Sequence, residues 1–124
     1  MPRLADHRPI SDLEVAVLAR MLECCAVTGP ITTDQASLQS LNVVAHCDCG
    51  CDTVDFQGID WSAPPTVIAD GQGKTATGEE VGILVFGNGS AITCLEVYNY
   101  SDEPARLPVV KSIQPYGGTR YGAV

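Results

Sequence analysis

Asn42-Val43-Val44-Ala45-His46-Cys47-Asp48-Cys49-Gly50-Cys51-Asp52-Thr53-Val54-Asp55-Phe56 is the stretch on which the fold turns. Its apolar residues recur at every second position, the period of a strand whose side chains alternate between two faces. Two layouts compete. A single extended run would place Val43, Ala45, Cys47, Cys49, Cys51, Thr53 and Asp55 on one face, a set with no common environment. A reversal at Cys49-Gly50 instead pairs Ala45 with Val54 and Val43 with Phe56, leaving His46, Asp48, Thr53 and Asp55 on the other face. Contrast between faces is what fixes strand register, and an X-Gly pair suits a tight turn. Residues 42–57 are therefore expected to form an antiparallel hairpin.

Toward the C-terminus, Val81-Gly82-Ile83-Leu84-Val85-Phe86 and Ala91-Ile92-Thr93-Cys94-Leu95-Glu96-Val97-Tyr98 flank Gly87-Asn88-Gly89-Ser90. Two β-rich runs around a glycine-rich turn predict a second hairpin over 80–100. The first run is apolar on both faces and suits a central strand, while the second alternates more and suits a place nearer an edge. Between the hairpins, residues 57–78 carry repeated Gly and Pro and read as a long connection, with a short strand at Thr66–Ala69. Gly71-Gln72-Gly73-Lys74-Thr75 lacks the first glycine of a phosphate loop, because Ile68 stands there, and it reads as a flexible loop. Leu107, Val109, Val110 and Ile113 supply one more docking segment.

Toward the N-terminus, Ser11-Asp12-Leu13-Glu14 matches a capping box. Leu18, Met21, Leu22 and Cys25 then recur at helical spacing. The pattern predicts a helix over 11–28, stopped by Gly29-Pro30. A short second helix is expected from about Asp34 to Leu41, capped by Thr33 and burying Leu38 and Leu41. Residues 1–10 read as a mobile leader, 11–115 as a single domain and 116–124 as a flexible tail. The class is α+β: helices packed on an antiparallel sheet of about four to five strands built from two hairpins. The sheet face away from the helices, carrying His46, Asp55 and Glu96, is expected to be wetter.

His46-Cys47-Asp48-Cys49-Gly50-Cys51 is the chemically unusual segment. Thiolates and imidazole suit Zn(II) or Cu(I), and a glycine lets the backbone fold such ligands inward. In a flat strand, side chains two residues apart are about 6.6 Å from each other, too far to share an ion whose bond to sulfur is about 2.3 Å. A turn at Cys49-Gly50 removes that obstacle. Cys47, Cys49, Cys51 and His46 are accordingly the candidate metal ligands, with Cys25 and Cys94 as further donors. Against this stands a plainer reading, in which Cys25, Cys47 and Cys94 are small core residues and Cys49 and Cys51 merely occupy the turn. A thiol redox pair, Cys49 with Cys51, is a third.

The blocks Cys47-Asp48-Cys49-Gly50-Cys51-Asp52-Thr53-Val54-Asp55 and Leu95-Glu96-Val97-Tyr98-Asn99-Tyr100-Ser101-Asp102-Glu103-Pro104 resemble those of a group of small bacterial proteins, mostly actinobacterial. In that group a helical N-terminus precedes a C-x-C-G-C-x-[ST]-V-D segment and a C-terminal L-E-x-x-x-Y block. The resemblance implies the order of elements given above and carries no activity.

Composition narrows the function classes. Among the 124 residues, seven Lys and Arg stand against fifteen Asp and Glu, a formal net charge of -8. That balance disfavours nucleic acid, whose binders rely on a basic patch, and equally disfavours anionic lipid. No apolar run reaches the roughly 18 residues of a membrane span. The first residues show no export signal, so a cytoplasmic setting is expected, in which cysteines stay reduced. Catalytic side chains are few. Cys47 and His46 point to opposite faces of a strand, and Asp55 with Glu96 is better read as a pair of solvated carboxylates, so no catalytic residue is assigned. The leading expectation is a non-enzymatic binding module of immunity or adaptor type. It would meet a basic protein partner through Trp61, Tyr98 and Tyr100, aromatic types favoured as interface anchors. Metal binding at the cysteine cluster is the alternative.

Overall fold

A computed structural model of the chain describes residues 3–57, 62–88 and 91–117. Among them the order of elements is β1 (Arg3–Pro9), α1 (Asp12–Cys24), α2 (Gln35–Gln39), β2 (Asn42–Cys47), β3 (Val54–Asp55), β4 (Thr66–Lys74), β5 (Glu80–Asn88), β6 (Ala91–Tyr98) and β7 (Gln114–Pro115), with a 3-10 turn at Val110–Ser112 before the last strand. The strands join in one antiparallel sheet in the order β1-β2-β3-β6-β5-β4-β7. The α+β class is as expected. The sheet is larger: seven strands among the described residues, not four or five.

Helix α1 begins as its sequence dictates. The Ser11 hydroxyl accepts the Glu14 amide at 3.1 Å, and the Glu14 carboxylate accepts the Ser11 amide at 2.9 Å, so two otherwise orphaned donors are satisfied. Arg8 closes the arrangement with bonds of 3.0 and 2.7 Å to the same carboxylate. The helix ends at Cys24, short of the expected 28. The reason lies in β4: the Asp70 amide donates to Cys25 O, and the Val27 amide donates to Ile68 O. Those sheet-like bonds draw residues 25–27 out of the helix. In α2 the cap is Asp34, which accepts the Ser37 amide at 2.7 Å, and not Thr33.

Val15, Leu18, Met21 and Leu22 of α1, with Leu38 of α2, pack against Val81, Ile83 and Val85 of β5 and Leu95 and Val97 of β6. Strand β6, expected near an edge, lies fourth of seven, at the middle of the sheet.

Three further corrections follow from pairing. Residues 3–9, expected as a leader, form β1, which pairs with β2 from Arg3↔Cys47 to Pro9↔Asn42. Residues 71–74, expected as a loop, belong to β4, which pairs with β5 along its length and with β7 at Gly71 and Gln72. Their glycines answer to packing. A Cβ at Gly71 would meet Met21 Sδ at 2.9 Å and Cys25 Sγ at 3.0 Å, and one at Gly73 would meet Pro108 Cβ at 2.9 Å. Finally, the 42–57 hairpin exists, but its register is Ala45↔Asp55 and His46↔Val54, one residue from that expected. A one-residue slip exchanges the faces, so His46 shares a face with Val54. Trp61, the Gly89-Ser90 part of the second turn, and positions 118–124 of the expected tail lie outside the described residues.

Candidate metal centre

Between β2 and β3 the chain reverses through residues 48–53, a wider loop than the two-residue turn anticipated. The Gly50 amide donates to Cys47 O at 3.3 Å, and Gly50 takes φ +90°, a left-handed conformation that glycine adopts without a Cβ penalty. At the end of the loop the Cys47 amide donates to Thr53 O at 3.1 Å. Thr53 is buried, and its hydroxyl donates to Val97 O at 3.2 Å and accepts the Val97 amide at 3.0 Å. One side chain thus extends the β3–β6 ladder past the point where the backbone leaves it.

A second clamp comes from far along the chain. The Asp52 amide donates to Ala105 O at 3.0 Å, and its carboxylate accepts the Leu107 amide at 2.8 Å. Arg106 bonds both the Asp52 carboxylate, at 3.2 Å, and Gly50 O, at 3.0 Å. The loop is held on both flanks.

On this frame the thiols of Cys47, Cys49 and Cys51 all lie within 4.8 Å of one another, the only such group of Cys, His, Asp and Glu ligand atoms among the described residues. Cys47 is buried, Cys51 half-buried and Cys49 exposed. The Cys47 thiol donates to Cys49 Sγ at 3.0 Å, and the Cys51 amide donates to the same sulfur at 3.4 Å. Thiolates on one zinc stand roughly 3.8 Å apart, from a bond of about 2.3 Å and a tetrahedral angle. The observed grouping approaches that spacing, and the exposed Cys49 side chain is free to adjust.

Beside the thiols is a recess of about 410 Å³ lined by Arg3, Glu96, Tyr98, Asn99 and residues 101–105. Arg3 lies across the strand pair from Cys47 and donates to Asp55 at 2.9 Å. It places a cation on the face where thiolate charge would gather.

The other candidates are not brought into the group. His46 precedes Cys47 in an extended strand, so its side chain leaves the opposite face. Its Nδ1 is 3.3 Å from the Asp6 carboxylate, in a depression shared with Ser11, Leu13 and Glu14 at the start of α1. Asp55 and Glu96 do lie on the open face as expected, with Cys94 between them in a smaller recess. Burial, and then the nearby Asp55 carboxylate, push the Cys94 thiol above its ordinary range; burial, and then Cys24, do the same to Cys25. These two remain protonated. Cys25 instead touches Cys24, the sulfurs 2.8 Å apart. Tyr98 is half-buried and Tyr100 is 91% exposed, their rings edge to face at 6.2 Å.

Local sequence patterns do not reveal Asp52 and Arg106 as supports of the loop or Arg3 as the cation beside the thiols. Arg3 was hidden in the supposed leader. The Asp52–Arg106 contact spans 54 positions, and no local pattern announces it. No protein-family model, curated protein or solved structure matches the chain.

Proposed function

We propose that the chain binds one thiophilic metal ion, Zn(II) or Cu(I), through Cys47, Cys49 and Cys51. The observation that carries this is the convergence of three sulfurs within 4.8 Å on a loop clamped from both sides. Three thiolates satisfy the softness both ions prefer. The recess that the three cysteines share with Arg3 would leave room for an outside ligand beside a bound ion. Because thiols must lose protons to ligate, loading releases protons and weakens as pH falls.

Native mass spectrometry of the full chain, reduced and then supplied with Zn(II) or Cu(I), tests the reading. One ion per chain is the expected result. The substitutions Cys47→Ser, Cys49→Ser and Cys51→Ser each lower retention, while Cys94→Ser leaves it unchanged. Retention that survives Cys49→Ser and Cys51→Ser together would overturn the assignment.

A second reading, a binding module for a basic protein, is favoured by the exposed ring of Tyr100 on a chain of net charge -8. A photo-crosslinking residue placed at Tyr100 tests it. Salt-sensitive capture of one basic protein is expected, and capture indifferent to salt removes the charge argument.

A further inference from the structure

Tyr98 lines both the thiol recess and another on the sheet face that, among the described residues, lies away from the helices. Its floor is formed by positions that leave space. Gly82 of β5 pairs with Tyr98 on one side and with Gln72 of β4 on the other. The ring of Tyr98 lies across Gly82, so closely that a Cβ there would run into the phenol carbons. The Gly117 amide donates to the side-chain oxygen of Gln72 at 3.1 Å. Tyr100 stands edge-on to Tyr98, the planes at 85°. Tyr116 follows β7 directly, and the order β6-β5-β4-β7 puts it on the far side of that floor. With Glu80 and Val81 these residues line an open recess of about 250 Å³.

The chemistry of the lining is one-sided. It holds three phenol rings and a carboxylate, and no Lys, Arg or His. Asp70 and Glu96 stand near enough to act on the Tyr98 hydroxyl, which burial first, and then these charges, push above its ordinary range. Aromatic faces carry negative potential and attract cations. A primary ammonium is strongly hydrated and gives up much on leaving water, whereas an alkylated one surrenders little and matches an apolar wall.

We propose that this recess binds a quaternary ammonium group, seated against Tyr98, Tyr100 and Tyr116 with Glu80 as its counter-charge. The site is separate from the thiol cluster and stands or falls without the metal reading.

Titration of the full chain with choline and with 3,3-dimethyl-1-butanol, its uncharged isostere, tests the proposal, followed through backbone amide NMR shifts. Choline is expected to give saturable shifts centred on Gly82 and Gln72, with the alcohol at least about tenfold weaker. Tyr100→Ala is expected to weaken choline several-fold and Tyr100→Phe to keep it; the ring is so exposed that neither change threatens the fold. Glu80→Gln lowers the affinity without moving the shifts elsewhere. A peptide bearing trimethyllysine identifies the source: tighter binding than choline marks a protein tail, weaker binding a free small molecule. Equal affinity for choline and the alcohol, shifts centred elsewhere, or indifference to Tyr100→Ala overturns the proposal.

Discussion

Gly71 shows how much one missing methyl can decide. Its hydrogen sits where a Cβ would press on Met21 Sδ, Cys25 Sγ and the Gln114 carbonyl at 2.9, 3.0 and 3.1 Å. The last is backbone of β7 and cannot step aside as a side chain could. Gly71→Ala is therefore expected to destabilise the fold by about 1–3 kcal/mol, read as a lowered denaturant midpoint with an unchanged slope. Glu14 decides in another way. Burial alone would raise its pKa, but the Arg8 hydrogen bonds, the Ser11 amide and the Arg8 charge together hold the carboxyl below its ordinary range. A depressed acid stabilises above its unfolded pKa and loses that contribution as pH falls through the folded one. Urea midpoints should thus decline as pH drops from the ordinary carboxylate range downward. In Glu14→Gln that decline should be shallower, with the midpoint at neutral pH already lower. An unchanged pH slope would show that the Arg8–Glu14 pair contributes nothing.

At the scale of elements, β1 carries the sharpest test. Five of its seven residues pair with β2, on either side of a bulge, and the strand places Arg3 on Asp55 and brings Arg8 to Glu14. Removing residues 1–9 leaves β2 as a raw edge and should lower the melting temperature by about 10 °C or more. A leader without structure would leave it unmoved. The sequence pattern hid this strand because Arg3-Leu4-Ala5-Asp6-His7-Arg8-Pro9 is exposed or half-exposed throughout, and alternation is visible only where one face is buried. The second half of β4, residues 71–74, was hidden for the opposite reason: Gly71 and Gly73 are there because helix and loop press close, yet glycines between apolar runs read as punctuation. The capping box of α1 and both hairpins were legible, since each rests on residues within a few positions of one another. Register was not, because the loop at Gly50 takes six residues and is set by Asp52 and Thr53 bonding to chain some fifty positions away. The same split runs through the site. The gathering of Cys47, Cys49 and Cys51 follows from a local reversal, whereas the exclusion of His46 is a matter of which face its neighbour occupies.

Over the whole molecule the excess of acid dominates. A net charge of -8 repels itself in the compact state more than in the expanded one. Raising salt from about 10 mM to about 150 mM shortens the screening length from roughly 30 Å to 8 Å, so the melting temperature should rise. A fall would mean that the Arg3–Asp55 and Arg8–Glu14 pairs outweigh the general repulsion. The borders of the sheet have a consequence of their own. On one side β1 carries a bulge between Ala5 and Arg8, three ionisable side chains in a row and a terminal proline; on the other β7 is two residues long and also ends in proline. Such margins offer a neighbouring molecule no straight row of amides to continue. Crowded together, these chains should stay separate bodies instead of stitching edge to edge into ribbons.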